Sequence, residues 1–316
     1  MTNEAWRILF MGTPLFASVI LQRLLESEDY LTGVFTQPDR PQGRGRKIRI
    51  SPVKKLAEDN CIAVYQPERI NREDYVSIIE KLEPDLIVVA AFGQILSQRI
   101  LDIPKFGCIN IHASLLPKYR GAAPINWAII RGEKTTGITT MLMNKGLDTG
   151  DILIQQEIDI PPEENAGKLH DRLALLGAET LTETIKKMKE GAVTPRKQEA
   201  SKATFAPSFK KEEGRVDWEK PAEEIYNRIR GMNPWPGAYT FFRKKMLKIF
   251  RASQINKDFK KDPGTVIEAS DQGILVHTGK YCLILEEIQL EGRKRMPVAR
   301  FLQGNPFPLG IRLGSE

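Results

Sequence analysis

Residues Asp85–Ala91 read DLIVVAA, an acid followed by an unbroken apolar run. A run without polar alternation marks a strand covered on both faces, the situation inside a parallel sheet. Working back from it, Trp6–Met11 and Leu31–Phe35 are further short strand patterns. Between them Leu15–Leu25 sets Phe16, Val19, Ile20 and Leu24 at helical spacing. Pro52 stands at the favoured first position of a helix opened by Ser51, and Arg72–Leu82 is amphipathic. Working forward, Cys108–His112 and Thr136–Met143 read as strands, Asp151–Ile160 as an extended piece and Lys168–Lys189 as a long helix ending at Gly191. This alternation predicts a doubly wound, Rossmann-like α/β domain with a parallel sheet.

The pattern then changes. Residues 192–208, AVTPRKQEASKATFAPS, are polar and without periodicity, and read as a linker. After them come one helix, Ala222–Arg230, and five short strands: Ala238–Phe242, Lys248–Ala252, Gly264–Glu268, Gly273–Thr278 and Cys282–Ile288. Short strands separated by turn residues predict a small OB-like β-barrel. The expected organisation is a first domain over 1–191, a linker over 192–208 and a second domain over 209–316.

Composition narrows the function classes. The 316 residues carry 47 Lys and Arg against 40 Asp and Glu. From Lys210 onward there are 20 basic and 14 acidic residues, so +6 of the net +7 lies in the C-terminal third, which favours an acidic partner there. No apolar run approaches bilayer length, so a cytoplasmic protein with no membrane contact is expected. The three cysteines, Cys61, Cys108 and Cys282, are far apart, which argues against a zinc site or a disulfide framework. No G-x-G-x-x-G follows the first strand, which disfavours a nicotinamide-dependent dehydrogenase; Gly12-Thr13-Pro14 reads as a tight strand-to-helix turn.

The densest polar constellation is Gly107–Trp127, GCINIHASLLPKYRGAAPINW. Asn110 and His112 are two apart on a strand, so both side chains leave the same face, near the strand end where open α/β sheets bind ligands. An amide can donate to a developing oxyanion, and an imidazole can donate or relay a proton. Downstream, LMNKGLDTGDIL breaks a strand and presents Asp148, a carboxylate able to orient an imidazole and stabilise its charged form. A second stretch, Arg40–Lys55, holds seven basic residues and no acid, with Gly43 and Gly45 flanking Arg44. Such a loop suits phosphates and unpaired bases, as do the clusters Arg243-Lys244-Lys245 and Arg293-Lys294-Arg295.

Together, Asn110-x-His112, Ser114-Leu115-Leu116-Pro117, Arg120-Gly121-Ala122-Ala123-Pro124 and Gly146-Leu147-Asp148-Thr149-Gly150-Asp151 resemble the 10-formyltetrahydrofolate-dependent formyltransferases. Phe10–Pro14, Thr36–Pro41 with Gly43-Arg44-Gly45, and Asn233–Ala238 resemble the members that act on initiator methionyl-tRNA. The resemblance implies catalytic roles for Asn110, His112 and Asp148. It implies folate contacts at Ser114, Leu115, Leu116 and Pro117, with Ala91, Phe92 and Gly93 as a pterin wall. It implies tRNA contacts by the loop of Arg40, Arg44, Arg46 and Lys47; Arg243, Lys244 and Lys245 are candidates for phosphates. The implied co-substrate is 10-formyltetrahydrofolate, with no metal, and the expected state is a monomer. The rival readings are a formyltransferase for a sugar-nucleotide or purine-pathway ribonucleotide amine, and a non-catalytic RNA-binding protein.

Overall fold

The computed structural model describes residues 4–42 and 47–314. The chain divides into two compact units: one runs to Pro124 and takes in Thr135–Ile158 and His170–Ala206, and the other comprises Ile125–Lys134, Asp159–Leu169 and the chain from Pro207.

In the first unit the elements follow as β1 (Arg7–Gly12), α1 (Leu15–Leu25), β2 (Tyr30–Phe35), the short ribbon β3 (Arg40–Gln42) and β4 (Lys47–Arg49), α2 (Pro52–Asp59), β5 (Val64–Tyr65), α3 (Glu73–Leu82), β6 (Leu86–Ala90), α4 (Gln98–Leu101) and β7 (Cys108–His112). After α5 (Pro124–Ile130), which beyond Pro124 belongs to the second unit, come β8 (Thr135–Leu142), β9 (Ile152–Asp159) and α6 (Ala166–Lys189), whose first four residues also belong to the second unit. The seven-stranded sheet has the order β5-β2-β1-β6-β7-β8-β9. All five residues of β6 are buried, as the apolar run requires. Strands β5, β2, β1, β6 and β7 pair in parallel, and β8 then runs antiparallel to β7 with His112 opposite Thr139. The sheet is therefore mixed. Leu9, Met11, Phe35, Ile87 and Val89 share one core cluster.

Local chemistry explains the joints. Ser51 caps α2, its Oγ accepting from Lys54 N at 3.0 Å, with Pro52 at the first position. Gly12 ends β1 where an added Cβ would lie 2.9 Å from the Ala90 carbonyl, so the two strand ends approach closely only because that residue is glycine. Between β1 and β6 the strand order reverses, which opens a crevice at their carboxyl ends. Of residues 192–208, read as a linker, those up to Ala206 are hydrogen-bonded along the first unit: Arg196 exchanges bonds with Ile152, and Ala206 N donates to Arg120 O at 2.8 Å.

The second unit contains α7 (Ala222–Gly231), β10 (Ala238–Phe242), β11 (Lys245–Ile255), β12 (Val266–Ser270), β13 (Gly273–His277), β14 (Cys282–Leu290), β15 (Met296–Pro297) and α8 (Val298–Leu302). Its antiparallel sheet has the order β10-β11-β14-β13-β12, with β15 on β14. The expected OB-like barrel is not confirmed: among the described residues no strand pairing joins β10 to β12, so the sheet does not close. The segment 311–314 lies between them instead. Ile311 O accepts from Val266 N, Leu313 N donates to Gly264 O, and Gly314 N donates to Phe241 O. Alternating burial along β11 turns Leu247, Ile249 and Ala252 into a core shared with Trp218, Ile225, Ile229 and Phe301.

Candidate active site

Three of the sequence-predicted residues converge at the carboxyl end of β7. Asn110 Nδ2 donates to Asp148 Oδ1 at 3.3 Å, and His112 Nδ1 lies 3.7 Å from Asp148 Oδ2. The strand supplies the spacing and the break after β8 supplies the acid. Asp148 adopts the left-handed region, φ +51°, which a short acidic side chain tolerates better than most. Its Oδ2 also accepts from Gly121 N at 2.8 Å. The carboxylate is thus gripped by an amide, a backbone N–H and, once charged, an imidazolium. The Asp148 and His112 side chains are 11% and 6% exposed, so any attraction between them when the ring is charged is screened less than it would be at the surface.

The histidine is not oriented by the acid alone. Its Nε2 meets the Tyr119 carbonyl at 2.9 Å, a bond that requires the hydrogen on Nε2. With that hydrogen on Nε2, the other ring nitrogen, Nδ1, is the one left on the Asp148 side. Tyr119 itself is left-handed, φ +61°, and its N donates to Thr204 Oγ1 at 2.9 Å. Neither Tyr119 nor Thr204 carried a sequence signal, because the groups that act are a carbonyl and a hydroxyl on irregular backbone.

The other predicted positions fall into two kinds. Ser114, Leu116 and Phe92 are buried, so their side chains shape the site from behind. Ser114 Oγ donates to Lys118 O at 2.6 Å and closes the turn that carries Leu115 and Pro117, both partly exposed. Thr139 Oγ1 donates to Ser114 O and accepts from Leu116 N, fixing the same turn from β8. Ala91 and Gly93 are exposed and left-handed, φ +46° and +84°, so the edge they form carries little side-chain bulk. The Phe92 carbonyl between them accepts from Gln37 Nε2 at 3.0 Å.

Of the basic loop, Arg44 and Arg46 lie outside the described residues. Its stem is well defined: Lys54 Nζ meets Asp39 Oδ2 at 2.5 Å and Gln66 Oε1 at 2.9 Å, and Gln66 Nε2 donates to Asp39 Oδ1 and to Gln37 O. The Lys54 hydrogen bond, joined by that from Gln66, holds the Asp39 carboxyl below its ordinary range. Arg40 pairs loosely with Glu68 at 3.5 Å, both exposed. In the second unit, Arg243 and Lys244 form a two-residue hairpin loop between β10 and β11 with both residues left-handed, φ +50° and +63°. Turns of this kind usually carry Asn-Gly, and here both positions carry a cation. Among the described residues no group of three or more His, Cys, Asp or Glu side chains could hold a metal, and no helix is long and apolar enough to cross a membrane.

Comparison with known proteins places this geometry. The formyl transferase family model matches residues 6–185, and the formyl transferase C-terminal domain model matches residues 208–306. A methionyl-tRNA formyltransferase of Geobacter sulfurreducens is 51% identical over 98% of this chain and 96% of its own, and one of Clostridium novyi is 51% identical over 96% and 98%. Among solved structures, an N-formyltransferase from Helicobacter canadensis, in complex with folinic acid and dTDP-3-aminofucose, matches 89% of this chain and 98% of its own with a TM-score of 0.65 at 18% identity, a likeness of fold. The chain belongs to the formyl transferase family, both of whose domain types it carries, alongside the methionyl-tRNA formyltransferases.

Proposed function

We propose that this protein transfers the formyl group of 10-formyltetrahydrofolate to the free α-amine of initiator methionyl-tRNA, working as a cytoplasmic monomer. The observation that carries the reading is the convergence of Asn110, His112 and Asp148 in a chain that matches curated methionyl-tRNA formyltransferases almost end to end. When bound, the folate supplies a carbonyl carbon on nitrogen that an amine can attack. The exposed Ala91–Gly93 edge, free of bulk, fits a flat hetero-ring, and the Leu115–Pro117 turn would face it as the second wall.

The residues then divide the work. An amide nitrogen has two hydrogens, and Asn110 engages one of them on Asp148. The second is free to donate to the oxygen on which negative charge develops, the kind of donor whose loss costs roughly 10²–10³ in rate. His112 Nδ1 would take the proton that the attacking amine loses, Asp148 Oδ2 would stabilise the ring while it is charged, and the proton would pass on to N10 as the bond between the formyl carbon and N10 breaks. Tyr119 O keeps the ring from turning its hydrogen the wrong way. In the second unit the cationic hairpin at Arg243-Lys244, followed by Lys245, supports a phosphate contact: left-handed Arg and Lys are an odd choice for a turn unless their side chains are used. Arg40, Arg44, Arg46 and Lys47 would reach the acceptor end of the tRNA.

The test is formyl transfer measured with methionyl-tRNA, with a nucleotide amino sugar and with no added acceptor. Transfer to methionyl-tRNA alone is the expected result. Transfer to the sugar and never to tRNA would leave the chemistry standing and replace the substrate.

A further inference from the structure

We infer that Gln198 is a positioning residue for this transfer: its amide latches the backbone of the Asp148 turn, and Arg120 sets the direction of that amide. The inference rests on the reading of Asn110, His112 and Asp148 given above.

Gln198 sits in the polar stretch 192–206, where no pattern singles it out. Its Oε1 accepts twice from one guanidinium, from Arg120 Nε at 3.1 Å and Nη2 at 2.7 Å. A guanidinium only donates, so this pair decides which end of the amide is oxygen. The nitrogen end is thereby turned to the turn that follows β8. Nε2 lies 2.9 Å from the Asp148 carbonyl and 2.7 Å from the Gly150 carbonyl, and its two hydrogens match those two acceptors.

The turn needs such a hold. Asp148 is left-handed, Leu147 is exposed, and residues 144–150 belong to no strand. The far end of the turn is tightly packed: a Cβ on Gly150 would lie 1.6 Å from the Leu142 carbonyl. Gln198 therefore ties the acid's own peptide to the fixed end of its turn. Arg120 is buried, 7% exposed, and among the described residues no carboxylate pairs with it. A buried cation whose side chain is spent on a neutral amide is an unusual choice for stability alone. It is accounted for when its task is to aim Gln198. The same stretch of chain reaches the other side of the site through Thr204, which accepts from the Tyr119 backbone whose carbonyl holds His112.

The test uses the full chain with 10-formyltetrahydrofolate and methionyl-tRNA, in two variants of similar size. Gln198→Met removes both donors. Gln198→Glu also removes them but leaves a carboxylate for Arg120, so its folding is protected. In both, kcat is expected to fall by about 10- to 100-fold, the loss that a slight misplacement of a reacting group brings, with KM for each substrate within ~3-fold of the unaltered chain. Backbone amides of residues 146–151 are expected to exchange faster with deuterium in both variants. Unchanged kcat, or a loss confined to Gln198→Met that follows its melting temperature, overturns the inference; so does unchanged exchange across the turn. If the unaltered chain does not formylate methionyl-tRNA, the functional reading fails instead, and the exchange measurement still decides whether the latch exists.

Discussion

His112 meets a carbonyl on one nitrogen and faces a carboxylate with the other. That asymmetry sets what its replacement does. His112→Ala is expected to lower kcat by roughly 10²–10⁴ with little change in KM for tRNA, because the proposed proton acceptor is lost while both proposed binding surfaces stay. Asn110→Ala is expected to cost roughly 10²–10³ in kcat for loss of the proposed oxyanion donor. Gly121→Ala acts by another route. Its φ is +121°, and an added Cβ would lie 2.8 Å from the Ala206 carbonyl. The backbone would have to move the N–H that Asp148 accepts, so a lower melting temperature, by ~1–3 kcal/mol of stability, should accompany the loss of rate. The cysteines give a check independent of activity. Burial pushes the Cys108 thiol up to about 12 and Cys282 to about 11, whereas Cys61 is exposed. Alkylation at pH 8 followed by mass spectrometry should mark Cys61 and spare the other two in the folded chain.

Among the elements, the ribbon of β3 and β4 and the hairpin of β10 and β11 are where charge meets conformation. Lys54 fastens the stem of the first through Asp39 and Gln66. Because the folded Asp39 carboxyl sits below its ordinary value, the stabilisation from this pair is fully present above the unfolded carboxylate pKa, near ~4, and is lost as pH falls through the lower folded value. Lys54→Met should therefore lower the melting temperature at pH 7 and converge with the unaltered chain in strong acid. For the second, the double change Arg243→Gln with Lys244→Gln should flatten the dependence of log tRNA affinity on log salt by up to ~2, while kcat at saturating tRNA holds. The strands of the first sheet were readable because Leu86–Ala90 and the Asn110-x-His112 alternation carry their burial in their own residues. The direction of β8 was not, since nothing in Thr135–Leu142 records that it turns back against β7. The edges of the second sheet were hidden for a similar reason: what stands between β10 and β12 is a stretch at 311–314 with no strand pattern, defined only by its partners. At the candidate active site, Asn110, His112 and Asp148 were legible as residue types with chemistry. Gln198, Thr204 and the Tyr119 carbonyl were not, because they act on or through backbone atoms that have no letter in a sequence.

For the molecule as a whole, the uneven charge is no accident of counting, since the cationic hairpin of the second unit lies within the stretch that carries +6. The second unit is also assembled from three separate pieces of chain, the earliest being Ile125–Lys134 and the last reaching the segment at 311–314 that joins β12 to β10. On a ribosome this has a cost in time. Once Lys134 has been made, roughly 180 further residues must follow before the second unit's sheet is finished, and at ~5–20 residues per second that interval is roughly 10–40 s. Throughout it Ala128 and Ile129, both fully buried in the finished protein, have been synthesised ahead of the sheet that completes their own unit. Slowing synthesis downstream of Lys134 would lengthen the interval in which this first piece waits for the rest of its unit.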